Sequence, residues 1–169
     1  MNALNQALDY AARGWAVFPV HTIQNGRCSC GDKECLSAGK HPATNNGFKS
    51  ATKDINQIQS WWSGNVEWNI GIATGHVSGL LVIDLDISDT KDGHARLKEF
   101  EEANTPLDKA LQVRTGSGGT HLYFAMPQMD ISSSAGRPAA GIDIRANSGY
   151  VVAPPSIHIS GNRYNWINS

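Results

Sequence analysis

The sequence predicts an α+β fold whose second half is a mostly antiparallel sheet. Helix and strand patterns alternate in the first part of the chain, and a run of short strands separated by Gly, Ser and Pro follows. The 169 residues, 40% of them apolar and without internal repeats, suit a single domain over residues 1–169 with a buried core. The chain has neither an apolar run of the roughly 20 residues that a membrane helix needs nor the basic-then-apolar start of a signal peptide. We therefore expect a cytoplasmic protein that does not enter a membrane.

The N-terminal part is expected to contain a helix, a strand and a long polar loop. Apolar residues recur at helical spacing from Leu4 to Ala12, and Gly14 ends that helix. Residues 15–20 are an apolar run that predicts a buried strand. Residues 21–47 are polar and too long for an ordinary connection, so something must organise them.

Two further helices and seven strands are expected in the rest of the chain. Asp54, with Gln57 three positions later, resembles a capping box and predicts the start of a second helix. A third helix begins at Asp92 and ends before Pro106. The strands are expected at residues 69–73, 80–87, 110–115, 120–126, 141–145, 150–153 and 163–167.

The clearest strand, residues 80–87 (LLVIDLDI), carries two acids, Asp84 and Asp86. Side chains alternate along a strand, so both acids are expected on one face. Their backbones would lie roughly 6.5–7 Å apart, given a rise of about 3.3 Å per residue. That spacing lets both carboxylates converge on a pair of divalent ions about 3.5–4 Å apart. Two ordinary acids at a solvent-facing strand end explain the pattern equally well.

Two later segments offer groups that suit a phosphate or metal site. The glycine-rich turn Thr115–His121 lets backbone N–H groups approach phosphate oxygens, and Ser117 and His121 add a hydroxyl and an imidazole. The turn lacks the Walker spacing, and on its own a glycine hairpin beside a structural histidine is the better interpretation. Asp143 and Arg145 share a strand face, which predicts either an intrastrand ion pair or a third oxygen ligand beside a triphosphate-binding guanidinium.

All three cysteines of the chain lie within eight residues, and a histidine follows them. An odd, clustered set of cysteines does not suit a disulfide framework. The set Cys28, Cys30, Cys35 and His41 matches a closed tetrahedral zinc site of the Cys3His type. The pattern leaves open whether such a zinc ion serves stability or contact with nucleic acid.

The charge of the chain is unevenly distributed. Its formal net charge is −1, which excludes the wholesale basic coat of a ribosomal-type protein. Residues 84–108 hold eight acidic and three basic residues, a net charge of −5, so the rest of the chain carries +4. A polyanion would therefore bind outside residues 84–108 or reach that segment through metal ions.

Seven segments together resemble the N-terminal bifunctional DNA primase/polymerase (prim-pol) domain of the archaeo-eukaryotic primase superfamily. They are, in chain order, GWAVFPV, CSCGDKECLSAGKHP, WNIGIATG, LLVIDLDI, VRTGSGGTHLYF, GIDIRANSGYVVAPPS and SGNRYNWI. The likeness spans essentially the whole chain. Each segment is weak evidence alone, but their joint occurrence in this order is highly specific.

The resemblance implies an N-terminal αβ unit that packs against an RRM-like sheet, with the active site in the cleft between them. The zinc-binding insertion would cover about residues 21–47, and the catalytic strands about residues 80–156. The catalytic metal ligands, for two Mg²⁺ or Mn²⁺ ions, fall on Asp84, Asp86 and Asp143. The nucleotide-binding residues fall on Ser117, Gly118, Gly119, His121 and Arg145, with His121 also counted as catalytic. One structural Zn²⁺ would be held by Cys28, Cys30, Cys35 and His41.

The activity that the resemblance implies is template-dependent nucleotide transfer, as in a primase/DNA polymerase of plasmid- or phage-type replication. The expected partners are a single-stranded DNA template, a primer and (d)NTPs, and a helicase or helical accessory domain of the kind that often follows in the family. Lys40, Lys49 and Trp61 are candidate template contacts, although Trp61 also fits a helix stripe that fills the core. A net charge of −1 offers little phosphate affinity, so we expect residues 1–169 to extend a primer better than they start one.

Three other functions use parts of the same pattern. Phosphatases of the haloacid-dehalogenase type share hhhDxD but need a downstream lysine and a further acidic pair, whereas Gly141–Arg145 offers one acid. Metal-dependent glycosyltransferases share D-x-D. A zinc-bearing nucleic-acid-binding module without catalysis would leave the acids structural.

Overall fold

A computed structural model of the chain describes residues 2–104, 106–107 and 110–168. In this part, the helices are α1 (Ala3–Ala12), α2 (Ile55–Trp62) and α3 (Gly93–Ala103), with a 3₁₀ turn at Gly47–Ser50. The first strands are β1 (Val17–Val20), β2 (Ile23–Gln24), β3 (Arg27–Cys28), β4 (Asn69–Ala73), β5 (Leu80–Leu85), β6 (Ile87–Ser88) and β7 (Lys91–Asp92). The later strands are β8 (Leu111–Arg114), β9 (Thr120–Ala125), β10 (Ser134–Ala139), β11 (Ile142–Arg145), β12 (Tyr150–Ala153) and β13 (Asn165–Asn168). No helix in the described ranges has the length and apolar character to cross a membrane.

The helices begin where the sequence predicts, because polar side chains cap them. Asp54 accepts hydrogen bonds from the N–H groups of Asn56 and Gln57, at 2.8 and 3.1 Å. Asp92 accepts one from the N–H of Ala95 at 3.0 Å and so fixes the start of α3. Such caps satisfy N–H groups that have no partner within the helix.

The strands form two principal sheets, and every strand pair described in them is antiparallel. The three-stranded sheet has the order β1-β4-β12, and the six-stranded sheet has the order β10-β11-β5-β9-β8-β13. The α+β class is therefore confirmed. The sequence does not reveal that β12, near the end of the chain, pairs with β4 of the N-terminal unit. Residues 151–153 of β12 are all buried, so both faces of this strand must be covered. Pairing with β4, which is also entirely buried, places β12 in a part of the sheet that is covered on both faces.

The main hydrophobic core lies between the two sheets and under α1 and α2. Phe18 and Ile72 of the three-stranded sheet and Ile58 of α2 are buried in it. Val82 and Tyr123 of the six-stranded sheet contribute from the other side. The opposite face of the six-stranded sheet carries a smaller cluster, in which α3 is the covering helix. The functional residues of the six-stranded sheet therefore lie on the inner face, beside the main core.

The strand expected over residues 80–87 is shorter than the sequence predicts. It ends at Leu85, and Asp86 bridges two turns: its N–H donates to the carbonyl of Gly141 and its carbonyl accepts from the N–H of Gly93, both at 2.9 Å. Ile87 then enters the separate ribbon β6-β7. Asp86 thus follows the strand that carries Asp84 instead of continuing it.

Strand β10 has no counterpart in the predicted elements. Its sequence, SAGRPA, contains glycine and proline, which are depleted in strands. The strand lies at an edge of the six-stranded sheet, and its register with β11 shifts between Ser134 and Ala139. Edge positions tolerate such sequences because one side of the strand needs no ladder partner.

Candidate active site and zinc centre

Three predicted site residues lie side by side on three neighbouring strands. In the register of the sheet, Asp84 on β5 is directly opposite Asp143 on β11 and directly opposite His121 on β9. Residues directly opposite on adjacent antiparallel strands place their side chains on the same face. We call this set, Asp143, Asp84 and His121, the acid row.

Arg145 links the two carboxylates of the acid row. Its guanidinium nitrogen Nη2 lies 2.6 Å from Oδ2 of Asp143 and 3.7 Å from Oδ2 of Asp84. Asp143 also accepts a hydrogen bond from the N–H of Gly136 at 2.7 Å. The intrastrand ion pair that the spacing of Asp143 and Arg145 predicts is therefore present, and only about 15% of each carboxylate side chain is exposed.

Asp86 lies close enough to the acid row for the negative charges of the row to affect its pKa. Burial, and then the negative charges of Asp84 and Asp143, raise the pKa of Asp86, while Lys40 opposes this shift. Carboxylates crowded together favour protonation unless cations balance them. The electrostatics of the cluster therefore suit a bound cation.

The donor set around the acid row fits Mg²⁺ or Mn²⁺, which prefer carboxylate oxygens. In the structure, however, Asp143 is bound to Arg145. The described group whose ligand atoms all lie within 4.8 Å of one another is instead the Cys3His cluster. To bind an ion, the carboxylate of Asp143 would therefore have to hold the ion beside the guanidinium of Arg145 or release that guanidinium.

His121 is the buried member of the row. Its side chain is 6% exposed, and Nε2 lies 3.4 Å from Oδ1 of Asp84. Nδ1 is buried without a hydrogen-bond partner. Burial lowers the pKa of His121, and the attraction of Asp84 only partly opposes that shift. A neutral ring with its proton on Nε2, directed to Asp84, leaves no buried N–H without an acceptor.

Two members of the acid row, Asp84 and His121, line a cleft of about 370 Å³ between the two sheets. The six-stranded sheet contributes Asp84, His121 and Arg145, and β12 contributes Tyr150 from the opposite side. Tyr164 closes one end, with its ring centre 6.0 Å from that of His121. The residue analysis alone does not find Tyr150 and Tyr164, because only the tertiary pairing of distant segments brings them to the acid row.

The glycine-rich turn between β8 and β9 owes its composition largely to packing. A Cβ on Gly116 would lie 2.2 Å from the Cβ of His158, and one on Gly119 would lie 2.3 Å from the carbonyl oxygen of Leu85. The N–H of Gly118 donates to the carbonyl of Thr115 within the turn. Phosphate recognition by the N–H of Gly118 would therefore require the turn to open.

The remaining predicted nucleotide-binding residue, Ser117, is exposed at the edge of the same cleft. Its hydroxyl lies 3.1 Å from that of Thr115. Together with Nε2 of His121 and the guanidinium of Arg145, it gives the cleft three polar groups of the type that binds phosphate oxygens.

The cysteine-rich loop brings its four candidate ligands together. The sulfur and nitrogen atoms of the set Cys28, Cys30, Cys35 and His41 all lie within 4.8 Å of one another. Cys28 Sγ and Cys35 Sγ lie 3.4 and 3.5 Å from Nε2 of His41. A tetrahedral zinc with bonds of about 2.0–2.3 Å separates its ligands by roughly 3.5–4 Å, so the cluster fits zinc.

Hydrogen bonds tie this loop to the rest of the molecule. The buried side chain of Asn69 on β4 donates to the carbonyl oxygens of Gly39 and Ile157, both at 2.9 Å. It also accepts from the N–H of Ile157 at 2.9 Å. The hydroxyl of Tyr150 donates to the carbonyl of Lys40 at 3.0 Å. The loop is therefore anchored to β4 and to β12, of which β12 lines the cleft.

The three candidate template contacts differ in position. Lys40 lines the cleft beside Asp84 and Asp86. Lys49 is exposed on the 3₁₀ turn. Trp61 is partly buried and packs against the main core, as its place on the helix stripe also allows.

Comparison with protein-family models gives a match over almost the whole chain. The model of the N-terminal domain of bifunctional DNA primase/polymerase matches residues 7–169. A search of curated proteins found no match.

Proposed function

This chain belongs to the bifunctional DNA primase/polymerase N-terminal family, a family of primase/polymerase-type nucleotidyltransferases, and from that premise we propose that it extends a DNA primer on a template strand. The family implies dependence on divalent metal ions, DNA and nucleotides. The observation that supports a catalytic role for this chain is the acid row: two carboxylates and a neutral histidine from three adjacent strands, beside a cleft of about 370 Å³.

Asp84, Asp86 and Asp143 are the proposed ligands of two Mg²⁺ or Mn²⁺ ions. When bound, such ions lower the pKa of a primer 3′-hydroxyl and neutralise charge that develops on the transferred phosphoryl group. The chain itself supplies rigid orientation, because Asp84 and Asp143 project from paired strands. Asp86 comes from the adjoining turn, which backbone hydrogen bonds hold at both ends.

Ser117, His121 and Arg145 are the proposed contacts of the nucleotide triphosphate. His121, neutral and protonated on Nε2, would donate to a phosphate oxygen in place of Oδ1 of Asp84, which lies 3.4 Å from Nε2. Arg145 offers further N–H donors once it shares its present contact with Asp143. Gly119 keeps the backbone of the turn close to β5, because a Cβ there would lie 2.3 Å from the carbonyl oxygen of Leu85, and the N–H of Gly118 would reach a phosphate once the turn opens.

The proposed Cys3His zinc ion organises residues 21–47, which contain only the short ribbon β2-β3 as regular structure within the loop. The proposed biological setting is DNA replication of the plasmid or phage type, with a helicase or a helical accessory domain as partner.

The experiment that separates this proposal from its rivals is incorporation of a labelled nucleotide into a primed DNA strand, with and without Mg²⁺ or Mn²⁺. Metal-dependent lengthening of the primer supports the proposal. Release of inorganic phosphate without incorporation would indicate a phosphatase, and glycosyl transfer from a sugar nucleotide would indicate a glycosyltransferase. DNA binding without turnover in either metal would leave a zinc-bearing binding module.

A further inference from the structure

A cation other than Arg145 lines the proposed catalytic cleft. Lys40 belongs to the cysteine-rich loop, precedes the candidate zinc ligand His41, and lines the same cleft as Asp84 and Asp86. Among the described residues that line this cleft, Lys40 is the cation without an ion-pair partner, because Arg145 is bound to Asp143. Its side chain is exposed and therefore free to meet a ligand.

The position of Lys40 is fixed through its backbone. Its N–H donates to the carbonyl of Ser37 at 2.9 Å, and its carbonyl accepts from the hydroxyl of Tyr150. The preceding carbonyl, of Gly39, accepts from Asn69. Lys40 is thus held by β4 and β12 at the point where the loop passes the cleft. These contacts anchor the backbone at Lys40, which a lysine with no role beyond its exposure to solvent would not require.

The charge of the cleft leaves a role for this lysine. Three carboxylates and two cations give the site a formal charge of −1, with Arg145 already shared between two of the acids. A nucleoside triphosphate carries about four negative charges, and two divalent ions carry four positive charges. If the ions balance the triphosphate, they leave the carboxylates of the site without a counter-charge. An additional ammonium group at the mouth of the cleft is therefore suited to phosphate oxygens that extend beyond the metal ions.

We propose that Lys40 binds the β- and γ-phosphates of the incoming nucleotide, and that the zinc-binding loop serves to hold this lysine at the cleft. This inference rests on the proposed function. It assigns Lys40 to the nucleotide instead of the template, and it gives the zinc centre a part in substrate binding as well as in stability.

The test is titration of the chain with dTTP and with dTMP in the presence of Mg²⁺, for the wild type and three variants. Lys40→Ala is expected to raise the Kd for dTTP roughly tenfold and leave the Kd for dTMP unchanged, because only the triphosphate reaches the ammonium group. Lys40→Arg should keep most of the affinity. Lys33→Ala, which removes an exposed lysine of the same loop that does not line the cleft, should bind dTTP like the wild type.

Removal of zinc by a chelator supplies a second readout. It should weaken dTTP binding by the wild type by about the same factor as Lys40→Ala, and it should weaken binding by Lys40→Ala little further. Unchanged dTTP affinity in Lys40→Ala would overturn the inference while leaving the proposed function intact. A loss confined to binding of primed DNA would also overturn it, by making Lys40 a template contact. Failure of the wild type to bind dTTP at all would instead overturn the proposed function and this inference together.

Discussion

The acid row and the cysteine-rich loop are two candidate metal sites held in place in opposite ways. Asp84, Asp143 and His121 project from neighbouring positions near one end of a continuous ladder of three strands, so backbone hydrogen bonds position them before any ion binds. Residues 21–47 contain one two-residue ribbon, and their path depends on the ligand cluster and on a few contacts such as those of Asn69. Because the sheet itself forms the first site, we expect loss of an ion there to leave the fold intact, whereas loss of zinc should disturb the path of residues 21–47.

The largest expected effect is on the activity of the acid row. Asp84→Asn should reduce nucleotide incorporation by about 10³-fold or more, because a metal ligand contributes several kcal/mol to the transition state. The unfolding temperature should stay the same or rise, since one of three crowded negative charges is lost. Primer extension and thermal melting measure the two effects.

Asp89→Asn is the matched control, because Asp89 is an exposed acid of the same acidic segment, three residues after Asp86 and five after Asp84. It should retain wild-type incorporation. Full activity in purified Asp84→Asn would remove the two-metal assignment, and a large fall in its unfolding temperature would contradict the contrast between the two sites.

The second effect concerns zinc. The wild type should contain one Zn²⁺ per chain, and Cys30→Ser should lose it and expose residues 21–47 to protease, since ligands on an irregular loop fold with their metal. Metal analysis and limited proteolysis check both outcomes. Ser37→Ala, an exposed change in the same loop, should keep the zinc and the protection. Freshly purified wild type without zinc would refute this prediction.

A third effect tests the anchor between the loop and the sheet. Asn69 is 3% exposed, and replacing it with Leu leaves the carbonyls of Gly39 and Ile157 without their donor. Each buried group left unpaired costs about 1–3 kcal/mol, so Asn69→Leu should lower the unfolding free energy by about 3 kcal/mol. Denaturant unfolding measures it. The exposed Asn65→Leu should change stability little, and equal stability of the two variants would show that Asn69 is no anchor.

The smallest effect is a pH dependence from His158, which supports the glycine-rich turn. Burial, and then the charge of Lys40, lower the pKa of His158 from its ordinary value of 6.5. The unfolded chain therefore takes up a proton first, so stability should fall as pH decreases from about 6.5 towards the folded-state pKa. His158→Asn should show a shallower fall in melting temperature over that range. Identical slopes would mean that other groups, including the buried His121, account for the dependence.

The sequence predicts the local features of both sites better than their assembly. The strand with Asp84, the strand with Asp143, the caps of α2 and α3, and the Cys3His set all depend on neighbours in the chain, and the structure contains them. The pairing of β12 with β4, and with it the placement of Tyr150 and Lys40, depends on contacts between distant segments. The break after Leu85 depends on Gly93 and Gly141, which approach Asp86 only in the fold. No periodicity in the sequence carries that information.

The most direct test of the central claim is single-nucleotide incorporation by the wild type on four primed templates that differ only in the templating base. Each template is offered each dNTP separately, with Mg²⁺ or Mn²⁺. The proposed function predicts that the primer gains one nucleotide with the complementary dNTP and little with the other three, and that a chelator stops the reaction. No incorporation on any template in either metal, or incorporation that ignores the templating base, would contradict a template-dependent polymerase.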